Sequence, residues 1–338
     1  MKKTPTLLAG LLLALGLASA DSAAAAEQPA PIHFGAITWE SGALTTEILR
    51  LIVEHGYDLP TDTLPGSTVS MEVALARNDL QVIAEEWAGR SPAWVKAEQA
   101  GAVFALGDTV KNAEEGWWVP AYVIKGDPAR KLAPLAPDLR SVDDLKRHAK
   151  LFDDPEAPGK GRFLNSPSGW TSEIVNTQKL KAYGLDALYN NFRTGSGAAL
   201  DAEIAAQIKR GKPVLFYYWS PTPLMGRYDL VRLEEPAFDN AAWATLTDPA
   251  NPNPKGSRSL PAKLSIGVSK AFRDANPELV AVFEQVDLPI GLLNKTLAHM
   301  AETRQAPRQA AQAFLREHPE VWQAWLPAER AAKVKAGL

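Results

Sequence analysis

Cysteine is absent from all 338 residues. No disulfide framework, thiolate metal site or cysteine nucleophile can therefore be drawn, nor a lipid anchor attached through an N-terminal cysteine. A dominant charge is missing too. Thirty-six lysines and arginines face 39 aspartates and glutamates, for a formal net charge of −3, which gives no electrostatic reason to expect nucleic acid or an anionic membrane as partner. The motifs of common chemistries are also lacking: no G-x-S-x-G elbow, no H-E-x-x-H, no P-loop. The five histidines (His33, His55, His148, His299 and His318) share no ligand spacing. Asp143-Asp144 and Asp153-Asp154 are paired acids, but they sit in helix-start or loop contexts and read as caps or solvated surface. The expectation is a protein that is not an enzyme and holds no metal or cofactor.

Long apolar runs are missing except at the start. Leu7 to Ala18 is about a dozen residues, short of the ~20 that a spanning helix needs. It follows Lys2 and Lys3 and precedes two small-residue sites, Ala18-Ser19-Ala20 and Ala24-Ala25-Ala26. That is the layout of a cleavable export signal over residues 1–26. With no anchor and no disulfide, the expectation is a monomer free in a Gram-negative periplasm.

The rest of the chain is long enough for two domains. Residues 32–37 read as a strand. Residues 43–54 read as a helix with Leu44, Ile48, Leu51 and Ile52 at a helical period and Gly56 as its stop. A strand over 58–64, a helix over 70–76 and a strand over 80–84 complete a β-α-β-α-β alternation, which argues a mainly parallel sheet with helices on its faces. Residues 116–124 read as a strand interrupted by Pro120 and as a first passage between lobes. A second set comes after it: strands at 162–164, 213–218 and 230–233, helices at 173–183 and 198–209, and 188–192 as either. Residues 236–261, rich in Pro, Asn, Asp and Gly, read as a surface excursion. Residues 264–268 read as a returning strand, and the chain is helical from Pro277 onward.

Tryptophan, by contrast, is plentiful, at ten residues. Trp94, Trp322 and Trp325 fall on helices and read as core. Trp39, Trp87, Trp170 and Trp219 each come just after a predicted strand, where open α/β sheets place their ligands. Any one of them alone is equally well explained as core; four at strand ends favour a site. Tryptophan is the best cation–π partner, and several faces can hold a quaternary ammonium that donates no hydrogen bond. The stretch Leu164–Glu173, L-N-S-P-S-G-W-T-S-E, sets Trp170 beside a helix starting near Thr171, whose free N–H groups can hold an anion. Glu85 and Glu86 precede Trp87. They read either as a solvated surface pair or as the source of a negative field that favours a cation.

These residues carry a resemblance. S-P-S-G-W-T-S-E at 166–173 and F-Y-Y-W-S-P at 216–221 are similar to a glycine-tryptophan loop and an aromatic strand end of the glycine betaine/choline-type (OpuAC-like, ProX/ChoX) substrate-binding proteins of ABC importers. E-E-W at 85–87 and I-T-W at 37–39 fall where that family carries further cage tryptophans. The resemblance covers essentially the whole mature chain. It implies a two-lobed α/β periplasmic binding protein fold of type II, each lobe a mostly parallel sheet flanked by helices. Two crossings near Pro120 and Ile266 would make residues 27–120 and 266–338 lobe 1, and 121–265 lobe 2. It also implies Trp39, Trp87, Trp170 and Trp219 as cage walls, Trp118 and Tyr218 as secondary walls, and the Thr171 and Ser172 backbone as carboxylate holder. The implied partner is an inner-membrane ABC permease. The glutamate pair departs from the pattern of simple betaine binders. It leaves room for choline or a bulkier cation, or for an amine or guanidinium held by Glu85 or Glu86.

Overall fold

A computed structural model describes Met1 and residues 30–338; the export signal expected over 1–26 lies, Met1 apart, outside the described residues. The first lobe alternates β1 (Ile32–Ala36), α1 (Glu40–Tyr57), β2 (Thr61–Pro65), α2 (Thr68–Arg77), β3 (Val82–Trp87), α3 (Pro92–Gln99) and β4 (Val103–Leu106). The second holds β5 (Glu114–Pro120), α4 (Ala121–Lys125), α5 (Leu145–His148), β6 (Gly161–Asn165), α6 (Thr171–Ala182), β7 (Tyr189–Arg193), α7 (Gly197–Lys209), β8 (Leu215–Ser220), β9 (Leu230–Arg232) and α8 (Asn240–Leu246). The chain then returns as β10 (Leu264–Ser269) and continues in helices, among them α9 (Lys270–Ala275), α10 (Pro277–Gln285), α11 (Ile290–Thr303) and α12 (Pro307–Glu317).

Two five-stranded sheets result, ordered β2-β1-β3-β10-β4 and β7-β6-β8-β5-β9. In the first, β1 runs parallel to β2 and β3, while β10 is antiparallel to β3 and β4. In the second, β6 runs parallel to β7 and β8, while β5 is antiparallel to β8 and β9. Each sheet is thus built from parallel strands with one long-range antiparallel strand inserted.

Several elements differ from the sequence expectation, each for a physical reason. α1 runs through Gly56 and stops at Asp58, which takes the left-handed conformation at φ 56°. β3 extends to Trp87 because β10 pairs with it that far, Ser265 opposite Glu86 and Leu264 opposite Trp87. Residues 114–120, expected in lobe 1, pair with β8 and β9 in the second sheet; the chain therefore changes sheets between Leu106 and Glu114. The expected surface excursion contains α8, capped by Asp239, whose side chain accepts from the Ala242 N–H. There Trp243 and Leu246 are buried against Val175 of α6. Among the described residues no helix is long and apolar enough to cross a membrane.

Candidate functional site

The strands of both sheets deliver side chains to one cavity, with about 680 Å³ of atom-free space counting its mouth. From the first lobe come Trp39, Glu85, Glu86 and Trp87; from the second, Trp170, Thr171, Ser172 and Trp219. Trp39 stands between β1 and α1, and its indole folds back over Gly42, where a Cβ would come within 2.8 Å of Nε1. Trp170 precedes α6 in an extended conformation (φ −87°, ψ 145°). Its ring edge lies against Gly197, where a Cβ would meet Cη2 at 3.1 Å. Both glycines are thus required by the approach of an indole rather than by a turn.

The aromatic rings meet across the lobes. Trp39 and Trp170 pack edge to face at 5.4 Å between centroids and 74° between planes. Trp170 and Trp219 repeat this at 5.3 Å and 79°. Tyr217 stacks on Trp219 at 6.0 Å and 23°. The Trp170 indole N–H also donates to the Thr38 hydroxyl across the lobes at 3.3 Å.

Glu85 is the polar centre. Its Oε1 accepts from the Trp39 indole N–H (2.6 Å), the Trp87 indole N–H (3.1 Å) and the Ser41 hydroxyl (3.1 Å). Its Oε2 is buried with no partner among the described residues. Burial pushes this carboxyl up against the pull of those three donors. Glu86 is buried as well, and burial, then the Glu72 and Glu98 charges, push it well above the usual range. The reading of the pair as solvated surface is therefore corrected: Glu85 is 1% exposed and Glu86 3%. Glu72, which also lines the cavity, accepts from the Ser91 hydroxyl and is pushed up by burial to about 7.

The second polar element is an ion pair between lobes. Arg90, just after β3, binds Glu115 of β5, and its guanidinium lies 4.6 Å over the Trp87 ring. Tyr217 donates its hydroxyl to Glu115 at 2.6 Å. Burial pushes Glu115 up, but the Arg90 charge and the Tyr217 hydroxyl outweigh it and hold it below the usual range. At the start of α6 the Ser172 and Ser166 hydroxyls share a 2.9 Å hydrogen bond, while the Thr171 hydroxyl is buried without a partner among the described residues.

Two expected walls lie elsewhere. Trp118 donates its indole N–H to the Tyr218 carbonyl at 3.1 Å, and Tyr218 donates its hydroxyl to Asp201 at 2.7 Å on the α7 side. Neither lines the cavity. Successive residues of a strand point to opposite faces, so Tyr217 and Trp219 share the cavity face and Tyr218 cannot. Sequence reasoning missed Tyr217, Trp243, Arg90 and Glu115, all of which line it. F-Y-Y-W is apolar on both faces and carries no phase. Trp243 was concealed by the proline- and asparagine-rich composition around its short helix.

Two lobes, each with a parallel-strand frame and a shared cavity between them, define a ligand-binding domain of the type II periplasmic class. Solved structures agree on that fold. A glycine betaine/L-proline-binding protein (ProX) from Borrelia burgdorferi superposes with TM-score 0.70 at 18% identity, over 90% of this chain and 100% of that one. A choline-binding protein in complex with choline gives 0.71 at 16% identity, over 90% and 97%. Residues 30–317 match the model of the substrate-binding domain of the ABC-type glycine betaine transport system, and the chain belongs to that family, one of binding domains rather than enzymes. Among curated relatives, the glycine betaine-binding periplasmic protein OusX of Dickeya dadantii is 28% identical over 200 residues, 56% of this chain and 60% of that protein. The trimethylamine N-oxide-binding protein of Pelagibacter ubique is 23% identical over 327 residues, 95% of this chain and 98% of that one.

Proposed function

We propose that the cavity binds a quaternary ammonium compound such as glycine betaine, choline or carnitine. In this reading the protein is a periplasmic receptor that hands its ligand to an ABC permease in the inner membrane. The observation that carries it is the edge-to-face train Trp39–Trp170–Trp219, assembled from both lobes around one cavity. Indole faces attract a cation that offers no proton, by about 2 kcal/mol or more per contact when water is excluded. Trp39 already packs on Trp170 across the lobes, and the unspent Thr171 hydroxyl and the start of α6 would receive an oxygen of the ligand. The export signal over residues 1–26 fits this location.

Intrinsic tryptophan fluorescence tests the reading. Adding glycine betaine, choline or carnitine is expected to quench or shift the emission. Trp170→Ala and Trp219→Ala are each expected to weaken binding about thirtyfold, the equivalent of about 2 kcal/mol, while remaining folded by circular dichroism. No response to any of these compounds at millimolar levels would exclude this ligand class.

One observation favours a second reading. The free Oε2 of Glu85 is an acceptor suited to an N–H donor, so an amine or guanidinium held by Glu85 or Glu86 competes with the cage. Such a ligand would bind without its methyl groups.

A further inference from the structure

More carboxyl groups line the cavity than basic side chains. Glu85 and Glu86 on β3, Glu72 on α2 and Glu115 on β5 all line it, and among the described residues Arg90 is the one basic side chain that does. Arg90 is spent: one nitrogen binds Glu115 and another donates to the Leu260 carbonyl at 3.0 Å. Among the described residues, Glu72, Glu85 and Glu86 are left without an ion pair. Hydroxyl and indole donors reach Glu72 and Glu85, but a neutral donor does not cancel a charge. The surrounding elements add to the imbalance: the Glu98 charge on α3 acts on Glu86, and Glu85 acts in turn on Glu40 of α1. Independently of the cluster, the 1%-exposed Glu85 has one oxygen saturated by three donors and the other buried without a partner. An unpaired carboxylate oxygen in a low-dielectric cavity is costly unless a counter-charge arrives.

We propose that the ligand carries a net positive charge, as a trimethylammonium compound with a hydroxyl or alkyl tail and no carboxylate, and that Glu85 selects it. This rests on the quaternary ammonium reading above and narrows it. A zwitterion would bring its own anion into a space with three uncompensated carboxyls. The donors such an anion would meet, among them the Thr171 hydroxyl, the Arg90 Nε–H and the start of α6, cancel none of the charge on those carboxyls, and Arg90's own charge is already matched by Glu115. A net cation instead supplies the charge the cavity lacks.

Binding is then linked to protons. Burial pushes Glu40 up to about 6 and Glu72 to about 7, and Glu85 and Glu86 upward as well. A bound cation favours the ionised carboxylates, so it expels protons, and its affinity rises with pH until these groups are ionised in the free protein. A ligand oxygen that needed a protonated carboxyl as donor would show the opposite slope.

The test is calorimetric titration of the mature protein with choline, glycine betaine and trimethylamine N-oxide between about pH 5.5 and about pH 8.5. Choline is expected to bind about tenfold or more tighter than glycine betaine near neutral pH, and to tighten as pH rises. Glu85→Gln keeps the shape and removes the charge; it is expected to weaken choline about tenfold more than it weakens glycine betaine. Glycine betaine or the N-oxide binding as tightly as choline, or choline weakening as pH rises, would overturn the proposal. If the Gln variant does not fold, the three-ligand comparison on the unaltered protein still decides. Glycine betaine winning overturns this inference and leaves the quaternary ammonium reading intact, whereas no binding by any of the three overturns both.

Discussion

Glu85 and its neighbours carry the account at the scale of single residues. Two indole N–H groups, from Trp39 and Trp87, converge on one oxygen of the Glu85 carboxyl, so the acid positions two of the rings. Tyr217 plays the corresponding part in the other lobe, joining Glu115 to the Trp219 stack. Tyr217→Phe keeps the ring and removes one donor from a buried carboxylate. It is expected to cost about 1–2 kcal/mol of stability, read by urea unfolding of the unliganded protein. The four tryptophans were legible in the sequence because each stands at a strand end. The choice of Tyr217 over Tyr218 was not, because a strand buried on both faces has no polar alternation to fix its phase. Arg90 and Glu115 were illegible for another reason: an ion pair between lobes joins residues that no local pattern connects.

Among the elements, the parallel frame was readable. Apolar runs of strand length alternating with helical periods announced β1, α1, β2, α2 and β3, and later β6, α6, α7 and β8. The antiparallel insertions were harder to read. β5 and β10 take their registers from strands far along the chain, so the sheet to which residues 114–120 belong and the extension of β3 through Trp87 could not be read locally. Two helix starts were shaped around indoles, α1 with Gly42 beneath Trp39 and α7 with Gly197 against Trp170. Gly197→Ala places a methyl 3.1 Å from Trp170 Cη2 and must push that ring aside. Such overpacking is worth about 1–3 kcal/mol. The expected outcome is weaker ligand binding by roughly tenfold, measured by fluorescence titration, with the helical circular dichroism unchanged. Unaltered affinity would mean that the Trp170 ring position does not matter.

In the whole molecule, the buried acids around the cavity burden the fold. Glu72 is pushed up to about 7 from an ordinary 4.5. Between those values the folded state holds more protons than the unfolded state, so stability falls as pH rises through that window and levels above it. Each pKa unit is worth about 1.4 kcal/mol, which sets the loss from this one group at a few kcal/mol at most. The melting temperature of the unliganded protein is therefore expected to drop from about pH 5 to about pH 7, and Glu72→Gln is expected to flatten that slope. A melting temperature that rises across the same range would contradict the assignment.

In the proposed cage, indoles from both lobes grip a charge that offers no proton. Removing methyl groups from the ligand one at a time tests this claim most directly, by calorimetric titration with choline, its dimethyl and monomethyl analogues, and ethanolamine. A cage predicts that affinity falls at every step, with ethanolamine weakest, because each lost methyl exposes an N–H that the rings cannot satisfy and that water would otherwise hydrate. Ethanolamine binding as tightly as choline, or more tightly, would contradict the claim and place the ligand on Glu85 alone.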